Sequence, residues 1–80
     1  MTIRLTDLSE YVKEVYNDYI SVYEHENHFR VTNGSAAMYG DIRIVNNRIH
    51  IKGERYGKKI DSKYELSREG LRDALSELGL

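Results

Sequence analysis

The chain has no cysteine, no proline and no tryptophan, and only one phenylalanine. Each absence excludes something. Without cysteine there is no disulfide framework, no thiolate metal site and no cysteine nucleophile, and a reducing, intracellular setting is expected. Without proline, the turns must be made by glycine and asparagine. No stretch is long and apolar enough to span a membrane. The opening "MTIRLTDLSEY" lacks the apolar run of a secretory signal, so a cytoplasmic location is expected. Catalytic motifs are missing too: there is no Gly-rich phosphate loop, no nucleophile elbow and no HExxH. Gly53, Gly57 and Gly70 fall in a hairpin and a helix start rather than in a phosphate cradle. An 80-residue chain also has little room for a deep pocket with a supporting shell. The expectation is one domain, 1–80, that is not an enzyme and carries no metal or cofactor. A chain this short buries only roughly 60–65% of its unfolded surface, so its stability is modest.

What is present is unevenly arranged. The formal net charge is −1. Residues 1–29 nevertheless hold six acids and two bases, residues 30–60 hold seven bases and two acids, and residues 61–80 are acidic again. A basic middle between acidic ends suggests an interaction surface.

The segment "IRIVNNRIHIK" spans residues 42–52. With Asn46-Asn47 as a two-residue turn, Val45 faces Arg48, Ile44 faces Ile49 and Ile42 faces Ile51. Four isoleucines then share one face, while Arg43 lies beside His50 and Asp41 beside Lys52 on the other. A second turn at Tyr56-Gly57 sets Glu54 against Lys59, Lys52 against Asp61 and Arg48 against Glu65, and puts Ile49 opposite Tyr64. A slip of one residue would break both patterns. Upstream, Asn33-Gly34 is a strong turn signal. It predicts Thr32 facing Ser35, Val31 facing Ala36 and Phe29 facing Met38, with a bulge or bend at Gly40. A further strand is predicted over 20–25, turning near Glu26-Asn27.

Two helices flank the strands. Leu5, Leu8, Val12, Val15, Tyr16 and Tyr19 follow helical spacing. Thr6 is the expected N-cap, and the helix should end between Asp18 and Ile20. At the other end Ser67 caps a helix that Leu66 and Leu71 staple, Leu71, Ala74, Leu75 and Leu78 stripe, and Gly79 stops. The fold class is therefore α+β: an N-terminal helix, an antiparallel meander of four to five strands, and a C-terminal helix. Both helices pack on the one apolar sheet face.

Three sets of polar residues are candidates for function. His25 and His28, flanked by Glu24 and Glu26, have ligand chemistry. Their strand-and-turn setting does not converge them as a helix would, so a polar hairpin tip is expected instead. The outer sheet face carries Arg30, Tyr39, Arg43, Arg48, His50, Lys52 and Lys63, a mixture of bases and an aromatic that suits single-stranded nucleic acid. Asp41, Glu54, Asp61 and Glu65 share that face and offset it, and the pI of 6.3 is low for a nucleic-acid domain. The third set is acidic and tyrosine-rich. Glu10, Glu14 and Asp18 follow i, i+4 spacing with Asp7 near the head of the row, an array that can mimic phosphates; the same spacing also describes a solubilising helix face. Of the seven tyrosines, Tyr16, Tyr19 and Tyr64 are assigned to the core. Tyr11, Tyr23, Tyr39 and Tyr56 cannot all be buried with satisfied hydroxyls, and exposed Tyr beside Arg is the composition of interface hot spots.

With its single compact domain, many tyrosines and acidic row at 7, 10, 14 and 18, the chain resembles in general character the small inhibitors encoded by phages and mobile elements, including anti-CRISPR proteins. The resemblance implies a protein-binding inhibitor of a nucleic-acid-handling complex, working in the host cytoplasm. The residues expected at such an interface are Glu10, Tyr11, Glu14, Asp18, Tyr56 and Lys58. The competing expectation is a nucleic-acid-binding regulator that uses Arg43, Arg48, His50 and Lys52. Homodimerisation through an exposed strand edge is compatible with either.

Overall fold

Two tight turns fix most of the sheet. Asn46 and Asn47 adopt φ of 51° and 62°, and Tyr56 and Gly57 adopt 49° and 85°. Two consecutive positive φ values twist a two-residue turn to match its flanking strands. In the computed structural model, which describes residues 3–16, 20–33 and 38–79, the order is α1 (Leu5–Val15), β1 (Ser21–Glu24), β2 (Phe29–Thr32), β3 (Met38–Val45), β4 (Arg48–Arg55), β5 (Lys58–Glu65) and α2 (Arg68–Glu77). The five strands form one antiparallel sheet in sequence order. Across β3–β4 and β4–β5 the register is the one the turns predict, from Val45 opposite Arg48 to Lys52 opposite Asp61. The β1–β2 turn lies at Glu26-Asn27, where the His25 N–H donates to the His28 carbonyl at 2.9 Å.

The β2–β3 register differs from expectation. Thr32 pairs with Tyr39 rather than Ser35, Val31 with Gly40 rather than Ala36, and Phe29 with Ile42 rather than Met38. The connection is longer than an Asn33-Gly34 turn; its residues 34–37 lie outside the described set. The shift is four residues, an even number, so every side chain keeps its face. The observed register gains a forked ion pair: Arg30 Nε and Nη2 reach the two Asp41 carboxylate oxygens at 2.8 and 3.1 Å. Such bidentate pairs are among the stronger polar contacts. Gly40 makes no bulge and pairs directly with Gly53. Its missing side chain admits α2: a Cβ there would stand 2.7 Å from Leu78 Cδ1.

The inward side chains of the strands and the two helix stripes form one core: Leu8, Val12, Phe29, Val31, Met38, Ile42, Ile49, Ile51, Leu71, Ala74, Leu75 and Leu78. Burying each large member contributes about 1.5–3 kcal/mol. The α1 details depart from the sequence pattern. Arg4, not Thr6, is the N-cap residue, and its backbone N–H donates to the Asp7 carboxylate at 2.8 Å. An acid three residues into the helix can reach back in this way. The helix ends at Val15, earlier than expected, and Val15 is 46% exposed. Ser9 is buried among the stripe residues, because its hydroxyl donates to Glu24 Oε1 at 2.6 Å. Tyr19 lies outside the described residues. Tyr16 and Tyr64 are half-buried against the core.

α2 begins as its sequence suggests. The Gly70 N–H donates to the Ser67 hydroxyl at 3.0 Å, and Gly79 ends the last turn with φ of 85°. Gly70 lies so close to the end of β5 that a Cβ would sit 1.9 Å from the Glu65 carbonyl oxygen. Two effects of Gly70→Ala therefore compete. Helix propensity favours alanine by about 1 kcal/mol, while forcing a methyl into backbone costs about 1–3 kcal/mol. Sterics should win, and urea denaturation should show a net loss of stability.

Tyr64 sits beside Glu77 under α2. Burial first, and the Glu77 carboxylate second, push its hydroxyl up to about 12. A phenol with a raised folded pKa stabilises fully below its unfolded pKa and loses that contribution as pH rises through the folded value. Stability should thus fall between about pH 10 and about pH 12. In Tyr64→Phe that slope should flatten, and the phenolate absorbance titration should lose its latest step.

Candidate protein-binding surfaces

The exposed side of α1 meets the start of α2 in a groove of about 360 Å³ lined by Ile3, Asp7, Leu8, Glu10, Tyr11, Glu14 and Arg68. Three of the residues expected at an interface, Glu10, Tyr11 and Glu14, therefore come together. Glu10 and Glu14 are exposed, while Tyr11 is half-buried. Asp18 lies outside the described residues. Asp7 is partly engaged as the partner of the Arg4 N–H.

Arg68 is a member that sequence reasoning missed. It stands at the first position of α2, where the helix dipole disfavours a cation. Its guanidinium lies 5.3 Å from the centroid of the Tyr11 ring, within the range of a cation–π contact. A base at a position that prefers acids was the available signal. The contact pins the Tyr11 ring between the two helices and leaves the glutamates on the rim.

Tyr56 and Lys58 are not part of this groove. They occupy the β4–β5 turn, where the neighbouring Arg55 guanidinium lies beside Gly79 at the far end of α2. The length of α2, about 15 Å, separates the two sets. Tyr56 is 70% exposed, and the Arg55 guanidinium lies 5.8 Å from its ring centroid. Its positive φ is a strained backbone state for a bulky residue.

On the outer sheet face, Arg43, Arg48, His50 and Lys52 share one side of β3 and β4. Lys63 extends the row Arg43–His50–Lys63 across β5. The carboxylates on this face do not close the three pairs that the register sets opposite each other. Asp61 Oδ1 instead lies 2.6 Å from His50 Nε2, a diagonal neighbour. That bond holds the Asp61 carboxyl below its ordinary range. Asp41 goes to Arg30, whose ionised form is strengthened by the same contact. Arg30 also lies over the Tyr39 ring at 4.7 Å, and Tyr23, opposite Arg30 on β1, is 55% exposed. The strand pairing was needed to put Tyr23 on this face. Arg43 Nε is buried without a hydrogen-bond partner.

A second groove, under the β1–β2 turn, is lined in part by Ser9, Glu24, His25, Glu26 and His28. The two imidazoles stack with centroids 4.7 Å apart, and His28 Nε2 stands 3.9 Å from Asp41. Glu24 is committed elsewhere. The Ser9 hydroxyl first, and Lys13 at 3.0 Å second, hold its carboxyl below the usual range. Among the described residues, no group of three or more His, Asp or Glu is arranged to hold a metal ion. Among the described residues, no helix is long and apolar enough to cross a membrane.

No protein family, characterised protein or solved structure matches this chain. The surfaces must be interpreted on their own chemistry.

Tyr56 allows a direct check. Asparagine tolerates the left-handed turn position better than tyrosine, so Tyr56→Asn should stabilise the fold by about 0.5–1 kcal/mol. Thermal or urea denaturation would measure it.

Proposed function

We propose that the chain is a non-enzymatic protein-binding module that inhibits a nucleic-acid-handling complex, as anti-CRISPR proteins do, by presenting the acidic α1 groove to a basic channel on its target. The observation that carries this reading is the convergence of Glu10, Tyr11 and Glu14 in one groove, with Arg68 bracing the ring. An aromatic held in place beside exposed carboxylates offers both an anchor and phosphate-like charge. Tyr56 lends support from the other end of α2: a strained, exposed tyrosine sits where asparagine would fit with less strain. In this reading it serves as a second, separate contact.

A nucleic-acid-binding regulator is the second reading. The row Arg43–His50–Lys63, with Arg43 Nε unpartnered and Tyr23 and Tyr39 nearby, supports it. The ties of Arg30 to Asp41 and of His50 to Asp61 weigh against it, because they already neutralise part of the face.

One experiment separates the two. The tagged protein is used to recover partners from host lysate, with and without nuclease. A stoichiometric protein partner that survives nuclease is expected. Its affinity should drop about tenfold or more in Glu10→Lys/Glu14→Lys, since charge complementarity at an interface is reversed at two positions. If those reversals leave binding intact, the acidic-groove reading fails. Recovery that vanishes with nuclease and falls steeply with salt would favour the sheet face instead.

A further inference from the structure

β5 is the outermost strand on its side of the sheet, and no described element lies beyond it. It is eight residues long, while the opposite edge, β1, has four. α2 packs against β5 from the apolar side but is set inboard, with Leu78 reaching Gly40 on β3. The Tyr56-Gly57 turn decides which backbone groups face outward. In a two-residue hairpin the residues flanking the turn form a hydrogen-bonded pair, and the bonded pairs then alternate. Arg55–Lys58, Gly53–Ile60, Ile51–Ser62 and Ile49–Tyr64 are therefore the bonded pairs of β4–β5. The N–H and C=O groups of Lys59, Asp61 and Lys63 point to the open edge, whereas the Glu65 carbonyl is taken by the Ser67 N–H at 2.9 Å.

Lys59, Asp61, Lys63 and Glu65 carry the outward side chains of the strand, and their charges alternate: plus, minus, plus, minus. We infer that β5 is a self-complementary edge and that two copies of the chain pair through it, antiparallel, about a two-fold axis at Ser62. Such an axis matches each residue with the one equally far beyond Ser62 in the partner. Asp61 then faces Lys63, and Lys59 faces Glu65, each twice by symmetry. All four outward positions meet an opposite charge. On the apolar side Ile60 faces Tyr64. The open N–H and C=O groups of Asp61 and Lys63 meet each other directly on both sides of the axis, so the ladder continues from one sheet into the next, while Lys59 and Glu65 meet through their side chains alone.

The alternatives are poorer. An axis at Asp61 sets Asp61 on itself and Lys59 on Lys63. An axis at Lys63 sets Asp61 on Glu65. Axes at Ile60 or Tyr64 leave half of the charged positions beyond the end of the partner strand. Parallel pairing in register sets like charges together throughout. Edge charges ordinarily deter pairing between sheets; here their alternation deters every register but one. The isologous geometry is that of a common two-fold dimer. This inference does not depend on the acidic groove.

The test is sedimentation of the wild-type chain from about 10 µM to about 1 mM, the range expected of a small interface. A monomer–dimer equilibrium that weakens with added salt is expected. Asp61→Lys and Lys63→Asp each create two like-charge contacts and should raise the dimer dissociation constant about tenfold or more. Mixed in equal amounts, the two variants should form a heterodimer, because lysines in one chain meet aspartates in the other. Asp61 also bonds His50, so the circular dichroism of each variant is compared with wild type. If Asp61→Lys does not fold, the pair Lys59→Glu and Glu65→Lys applies the same logic at the outer contacts. A wild-type chain that stays monomeric throughout overturns the inference. So do variants that dimerise like wild type, or a mixture that remains monomeric.

Discussion

The structure depends on a sheet that has only one face to bury. Alternation along β3, β4 and β5 sends isoleucines, glycines and a tyrosine to one side and charges to the other. Two turns with paired positive φ values lock that alternation in register. Both amphipathic helices must then cover the same face, since an apolar stripe has nowhere else to go. Their closeness there makes the groove between α1 and the start of α2. It also makes Gly40 and Gly70 necessary where α2 approaches the strands.

The one-sided core leaves an outer face that is charged but internally matched. Asp41 and Asp61 each choose a partner that differs from the lysine directly opposite. Asp41 lies between two opposite bases and takes the forked contact with Arg30, and Asp61 takes the short diagonal reach to His50, because charge-assisted hydrogen bonds are directional while exposed ion pairs at longer range are screened. The row Arg43–His50–Lys63 keeps a basic character, whereas the acids concentrate on α1. Among the described residues, the acidic groove, the strained tyrosine of the β4–β5 turn and the alternating edge of β5 are the features on which the proposed contacts rest.

Much of this was legible in the residues. Asn46-Asn47 and the glycine of Tyr56-Gly57 mark two hairpins, because asparagine and glycine accept positive φ, and the isoleucine alternation admits one register. The Ser67 cap, the stripe from Leu71 to Leu78 and the stop at Gly79 define α2 to within a residue. Glu10 and Glu14 are placed on one exposed face by helical spacing alone. The β2–β3 register is not legible, because Asn33-Gly34 is a local signal while the Arg30–Asp41 contact joins separate strands. The buried stripe of α1 departs from its pattern for a similar reason. Ser9 is buried because Glu24 lies across from it, and no pattern within the helix reveals that.

The sequence by itself determined the element order, two of the hairpin registers, the face each strand buries and the presence of an acidic row. These follow from periodicity and turn chemistry, which act over a few residues. Only the tertiary structure decided that Arg68 would brace Tyr11, that Tyr23 would join Arg30 and Tyr39, that Tyr56 and Lys58 would lie a helix length from the acidic groove, and that β5 would be left as an open edge. Each of these is a relation between elements distant in sequence. Packing two helices against a single sheet face sets such relations, and local propensity carries no record of them.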